Sequence, residues 1–345
     1  MNARDERAAA LAARDRHESA VRDLGDLLEN TGRRLGLSAP HDADVALAAV
    51  SAAILPRWRQ LVGAAAGASR ALRDRPEEFD QCRWLARSRL LPLLIAGPIW
   101  HRSYHKPRGY PGDYGVMNFV CDQADEGPDP YARLCHRLGL DVGACVRTRL
   151  QFVVDELAAR MGVTGTPLRV LSLGCGSARE IAPAIALGTP RRAVELTLLD
   201  HDLEALDAAR RAVEPAVASC PGAPFETRYE AVSFSHVLRD ARFTQQWQKQ
   251  DVVYCMGLAD YVPDERLQPL VSALFALVAD GGSLILGNMK EPSDTFWALD
   301  FILDWPLVYR TERAMRDLAA SLQASRTQLL LEETGNNFAL KLRKH

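Results

Sequence analysis

The sequence predicts an α/β fold: a largely parallel sheet closed by an antiparallel hairpin and preceded by a helical region. Three observations carry this. From Leu168 onward, short apolar runs alternate with amphipathic stretches. The last run, "QLLLEETGNNFALKLRK", reads as strand, tight turn, strand. The first third is instead rich in Ala, Leu, Arg and Glu, with apolar residues returning every three or four positions. Strand–helix alternation implies parallel strands with right-handed crossovers. A short polar turn joins antiparallel neighbours.

The elements follow in order. "ARDERAAALAARDRHESAVRDLGDLLENTGRRLG" is a long helix by composition and periodicity, broken by Gly36 and the polar run "SAPHDAD". A second helix is expected over 45–67 with a kink near Pro56, and a third over 76–89. The turn-rich "HKPRGYPGDYG" (105–115) comes next, then further helices to about Met161. Strands are expected at 169–173, 195–200, 225–231, 251–255 and 283–288, with helices at 203–217 and 265–277. The organisation is two domains, 1–145 helical and 146–345 containing the sheet.

Bulk properties exclude several classes. At 345 residues, with 48% hydrophobic and 25% charged side chains, the chain builds a sizeable core under an ordinary surface. A net charge of −2 gives no global attraction to nucleic acid or anionic membrane, and the runs "RRLGL" and "KLRKH" read as solvated element ends. The N-terminus is charged throughout, and the apolar run "LLPLLIAGPIW" is too short to span a bilayer. Seven scattered cysteines without a CxxC pair suit reduced thiols rather than disulfides or a zinc site. The expectation is a cytoplasmic protein without membrane insertion, nucleic-acid partner or metal. A homodimer is compatible with it.

"RVLSLGCGSARE" (169–180) is the first functional landmark. A dinucleotide site wants G-x-G-x-x-G, the last glycine allowing close packing beside the pyrophosphate. Gly174 and Gly176 fill the first two places, but Arg179 fills the third. A guanidinium stem does not fit where only a hydrogen atom is tolerated. S-adenosylmethionine (SAM) carries no phosphate, so two glycines suffice, and SAM is the expected cofactor. Asp200 ends the "LTLLD" strand, placed to accept hydrogen bonds from both ribose hydroxyls. Taken alone, such an aspartate equally reads as a helix cap.

With these residues in place, the segment from Val146 to His345 resembles a class I SAM-dependent methyltransferase: a Rossmann-like sheet with an antiparallel C-terminal hairpin and an N-terminal helical lid. "KPRGYPGDYGVMN", "VRTRLQFVVDEL", "VLSLGCGSARE", "YCMGLADYV" and "FILDWPLVYRT" together resemble the extracellular-factor 3-hydroxypalmitate methyl ester biosynthesis family. Gly115 departs from that pattern, where relatives more often carry an acidic residue. The resemblance implies methyl transfer, best known there with a fatty-acid carboxylate. Similar enzymes with helical lids methylate free arginine or cyclise SAM to azetidine-2-carboxylate.

Methyl transfer is an in-line displacement at a carbon already activated by a sulfonium, so alignment and exclusion of water matter most. The "GYPGDY" loop carries Tyr110, Asp113 and Tyr114. A tyrosine face attracts a sulfonium; the bland alternative is a rigid Pro-Gly turn over packed aromatics. Arg147 and Arg149, two apart, point to different helix faces; one is expected to bind a carboxylate and the other to lie on the surface. In "YCMGLADYV", Gly257 and Asp260 follow a strand, with Asp260 either a base or amine anchor or a helix cap. Asn288 has the same standing. In "LDWPLVYRT", Trp305, Tyr309 and Arg310 fall in the region that commonly forms an acceptor wall. The aromatics read more often as core, and Arg310 is the functional candidate because an arginine among aromatics needs an anionic partner. The catalytic candidates are thus Tyr110, Asp113, Tyr114, Asp260 and Arg310. The cofactor-binding candidates are Gly174, Cys175, Gly176, Asp200, His201, Gly257, Arg149 and Tyr110.

The resulting expectation is a SAM-dependent methyltransferase acting on a small carboxylate- or amine-bearing metabolite in secondary-metabolite or signal biosynthesis. The alternative is intramolecular: SAM's own amino nitrogen attacks its γ-carbon, releasing methylthioadenosine. A non-catalytic SAM-binding scaffold is the reading from another class.

Overall fold

The computed structural model describes residues 3–36, 43–220, 223–239, 247 and 249–345. The chain divides into two units, Met1–Ala144 with Asp294–Leu307, and Cys145–Ser293 with Val308–His345. The sequence places a single boundary at 145/146. It does not anticipate the return of 294–307 to the helical unit.

The helical unit contains Ala3–Gly36, Ala43–Arg70, Pro76–Leu94, Pro98–His105, Tyr114–Asp122 and Pro130–Val142. Most of the "SAPHDAD" break lies outside the described residues. Ala43–Arg70 runs on through Pro56 and buries Leu47, Ile54 and Trp58, the last meeting Trp100 edge to face at 6.1 Å. By length and composition this helix suffices to cross a membrane, with a mean hydropathy of 1.2 over 18 residues. It is distinct from the shorter apolar run at 90–100. The returning segment is bound chemically to this unit. Arg70 pairs with Asp294 at 3.0 Å, Arg83 with Asp300 at 3.1 Å and Arg87 with Asp304 at 2.9 Å. The Trp297 indole N–H donates to His17 Nε2 at 3.1 Å, and burial lowers the His17 pKa to about 4, leaving that nitrogen free to accept.

The second unit is built on seven strands: β1 Leu168–Leu173, β2 Val194–Asp200, β3 Phe225–Ala231, β4 Gln250–Cys255, β5 Val278–Met289, β6 Ala324–Leu331 and β7 Asn337–Lys344. Their order in the sheet is β3-β2-β1-β4-β5-β7-β6. The first five run parallel, while β7 is antiparallel to both β5 and β6. This is the class I methyltransferase sheet with its closing hairpin. Expected and observed strands agree to within a residue or two, apart from the start of β5. There a register shift beside Gln250 separates an early pairing at Val278 from the regular ladder beginning at Ser283. Strands β1, β2, β4 and β5 are apolar on both faces, as helix-covered parallel strands must be. One core layer gathers Leu173, Leu199, Cys255, Leu270 and Leu286; the other gathers Val170, Leu198, Tyr254, Ile181 and Leu157. The carboxyl ends of β1, β2, β4 and β5 therefore present Gly174, Asp200, Met256 and Lys290 at one rim. Open α/β sheets bind ligands at that rim.

Candidate active site

The turn after β1 is shaped by backbone conformations that favour glycine. Gly174 has φ +69° and Gly176 has φ +53°, both left-handed. A methyl group added to Gly176 would meet nothing within 4 Å, so this glycine borders open space at the rim. The amides of Gly174 and Cys175 donate to the Leu199 carbonyl at 2.8 and 3.0 Å, tying the turn to β2. The Cys175 side chain packs into the core, where burial pushes its thiol pKa well up, and its Sγ lies 3.5 Å from the Gly176 carbonyl oxygen.

Asp200 sits at the tip of β2, almost wholly buried. Its Oδ2 accepts from the Gly176 amide at 2.9 Å and its Oδ1 from the Asp202 amide at 3.0 Å. A carboxylate has about four acceptor sites, so two held by the backbone leave capacity for hydroxyl donors in a fixed orientation. The cap of the following helix is Asp202, not Asp200. His201, half exposed, places Nδ1 3.3 Å from Asp200 Oδ1.

Arg149 answers the choice between the two neighbouring arginines. Arg147 is exposed, whereas Arg149 is buried between the helices Ala144–Thr148 and Gln151–Met161. Arg149 Nη1 lies 3.4 Å from Asp260 Oδ2, and a Cβ on Gly257 would stand 3.3 Å from Arg149 Nη2. The structure thus brings Arg149 together with Gly257 and Asp260, more than a hundred residues further along the chain. Arg149 Nε is buried and makes no hydrogen bond. A buried guanidinium N–H without a partner is costly, and it marks a place where an anion is welcome.

Asp260 is not a helix cap. The helix Asp264–Leu277 has Pro263 at its N-cap, and Asp260 Oδ1 accepts from the Met289 amide at 2.5 Å. Burial raises the Asp260 pKa, opposed by the charge of Arg149. A second buried carboxylate, Glu180, accepts from the Tyr254 hydroxyl at 2.6 Å. Burial raises its pKa too, while the Tyr254 hydrogen bond and Arg149 pull it down. Sequence reasoning passed over this pair. Glu180 closes the quoted glycine stretch and precedes the helix Ile181–Gly188, where an acidic residue reads as an ordinary dipole partner, yet it makes no side-chain cap bond. The signal lay in Tyr254, a hydroxyl in the otherwise apolar strand "VVYC", directly opposite Ser172 on β1.

Arg310 requires a correction. Its expected anionic partner comes from the chain itself: Nε and Nη2 hold Asp264 at 2.9 and 2.7 Å. Nη1 donates to the Ala259 carbonyl and to Asn288 Oδ1, and Nη2 also reaches the Val262 carbonyl. All five N–H donors of the fork are used, so Arg310 and Asn288 clamp the loop that carries Asp260. Trp305 belongs to the helical unit, and Tyr309 and Arg310 belong to the sheet unit.

Within the helical unit, Tyr110 lies in the turn before Tyr114–Asp122, partly exposed. Asp113 is buried and caps that helix, accepting from the amides of Gly115 and Val116 at 3.0 Å and from Arg102 Nε at 2.7 Å. Its Oδ2 is buried without a partner. The Arg102 guanidinium also covers the Tyr114 ring at 5.5 Å. A Cβ on Gly115 would come within 2.3 Å of the Arg102 guanidinium, the far end of a flexible side chain.

Sheet order, rim and glycine turn define the fold of a class I SAM-dependent methyltransferase. Solved structures similar to this chain include magnesium protoporphyrin IX methyltransferase of Synechocystis PCC 6803 with bound S-adenosylhomocysteine, 17% identical over 71% of this chain and 98% of that one, TM-score 0.47. The S-adenosylmethionine-dependent methyltransferase SibL in its apo form is 15% identical over 97% and 96%, TM-score 0.45. N-methyltransferase NodS of Bradyrhizobium japonicum WM9 with S-adenosylhomocysteine is 13% identical over 58% and 87%, TM-score 0.40. No protein-family model and no curated protein matches the chain.

Proposed function

We propose that this chain is a SAM-dependent methyltransferase acting on a small carboxylate- or amine-bearing metabolite. One observation carries the reading. The rim of the sheet combines a left-handed two-glycine turn, the oriented Asp200 carboxylate, and the buried Arg149 guanidinium with an unused Nε. These fit a nucleoside with vicinal hydroxyls and an amino-acid tail. Gly174 and Gly176 let the backbone pass beneath the ligand, Asp200 accepts from the ribose hydroxyls, and Arg149 binds the tail carboxylate. When bound, the cofactor supplies a methyl carbon activated by its sulfonium. Glu180 and Asp260 flank Arg149 with buried acidity, suited to holding an ammonium or taking a proton from an amine acceptor.

Titration calorimetry with SAM tests the site, and Asp200→Ala is expected to weaken binding by ~1.5–3 kcal/mol, the loss of a charged acceptor. Mass spectrometry of products, with SAM alone and with a panel of fatty and amino acids, tests the reaction. Methyl transfer requires an acceptor-dependent product 14 mass units heavier than the acceptor, the replacement of H by CH3. Stoichiometric methylthioadenosine from SAM alone would instead identify the cyclising reaction and overturn methyl transfer. Absence of SAM binding would overturn both.

A further inference from the structure

At the end of the sheet away from the glycine turn, the sheet unit carries a basic groove lined by Arg160, Arg326, Lys341 and Arg343 beside Glu156 and Ser283. Strand register builds it. Ser283 on β5 pairs with Arg343 on β7, and Arg343 pairs with Arg326 on β6, so three side chains stand in one row. Lys341 lies two residues along β7, on the same face as Arg343. The helix Gln151–Met161 lays Glu156 and Arg160 over that face. The run "KLRKH", read from the sequence as a solvated strand end, supplies two of these cations.

Charge in the groove is unbalanced. Glu156 accepts from Lys341 Nζ at 2.5 Å and from Arg160 Nε at 2.7 Å. Burial alone would raise its pKa, yet these two cations hold it below the ordinary carboxylate value. Arg160 Nη2 also donates to Ser283 Oγ at 3.0 Å. Among the described residues, no other carboxylate forms an ion pair with the cations lining the groove, and Arg326 and Arg343 face each other across the ladder without one. Like charges directly opposite on antiparallel strands weaken a sheet. Both arginines are exposed at the surface of the ladder, where an oxyanion held between the two forks offsets their mutual repulsion.

We propose that this groove binds a phosphate group, gripped by Arg326 and Arg343 from the two strands with Lys341 and Arg160 behind. The ligand chemistry is a phosphate dianion, either free or as the head of a phosphorylated metabolite. The proposal is independent of the reaction assigned to the other rim.

Calorimetric titrations at constant ionic strength with inorganic phosphate and with glycerol 3-phosphate test it. Saturable binding to the native chain is expected. Tighter binding of the ester identifies a phosphorylated metabolite, and tighter binding of inorganic phosphate identifies the free ion. Arg326→Glu is expected to weaken binding roughly tenfold or more. Without ligand, the same variant is expected to raise the Tm by roughly 1–3 °C, because it places opposite charges across the ladder. Opposite signs in the two measurements distinguish a ligand site from a structural contact. Arg343→Gln, which removes one fork without reversing charge, repeats the binding test. No saturable binding by the native chain, or undiminished binding by both variants, overturns the proposal.

Discussion

Arg149 and Arg310 are both buried, at 6% and 2% exposure, and both touch the loop between β4 and the helix Asp264–Leu277. Their surroundings are otherwise opposite. Arg310 spends every donor on the chain, on two carbonyls, an amide oxygen and a carboxylate. Arg149 makes one long contact of 3.4 Å and leaves Nε unused. Desolvating a guanidinium is costly in either case. The folded chain offsets that cost fully at Arg310 and only partly at Arg149, where two raised-pKa carboxylates stand nearby instead. A saturated buried arginine is part of the scaffold; an unsaturated one is poised for a ligand.

The comparison breaks first at Arg310. Arg310→Ala leaves Asn288 Oδ1 and the Val262 carbonyl without their Arg310 donors and is expected to cost about 2–4 kcal/mol of stability, as leaving buried acceptors unsatisfied does. Urea denaturation measures it, and a loss below ~1 kcal/mol would show that the clamp is redundant.

Arg149→Lys keeps the charge between Asp260 and Glu180 but removes the planar fork. SAM affinity is expected to fall about tenfold with Tm within ~2 °C of the parent. A large drop in Tm with affinity intact would make Arg149 a second Arg310.

The smallest effect concerns pH. The pKa of Glu180 in the folded chain stands above its ordinary value of 4.5, so folding favours the protonated form. Its contribution to stability is therefore complete below pH 4.5 and declines as pH rises through the folded value. Glu180→Gln is expected to flatten the fall of Tm over that interval, without the slope change that any loss of Asp260 would add. Identical slopes in parent and variant would place the proton elsewhere.

Much of the fold was legible in the sequence, because strand and helix periodicities are local. Apolar runs such as "VVYC" and "LTLLD" mark buried parallel strands, and "EETGNN" marks the final turn. The glycine turn was equally legible, since the left-handed conformations of Gly174 and Gly176 are written in residue type. The candidate site was less so. Asp260 reads as a cap until its bond to the Met289 amide is seen, 29 residues away. Glu180 reads as a dipole partner until Tyr254 is found against it, 74 residues on. The aromatic segment 294–307 reads as part of the sheet unit, yet Arg70, Arg83 and Arg87 bind it to the helical one.

By itself, then, the sequence determined the alternation of elements, the antiparallel ending and the shape of the turn after β1, all of which depend on residues within a few positions of each other. Only the tertiary structure decided which arginine is saturated. That outcome depends on carbonyls and carboxylates delivered from 46 to 51 residues away for Arg310, and 111 away for Arg149. Hydrogen-bond satisfaction is a property of the assembled neighbourhood, and no local pattern encodes it.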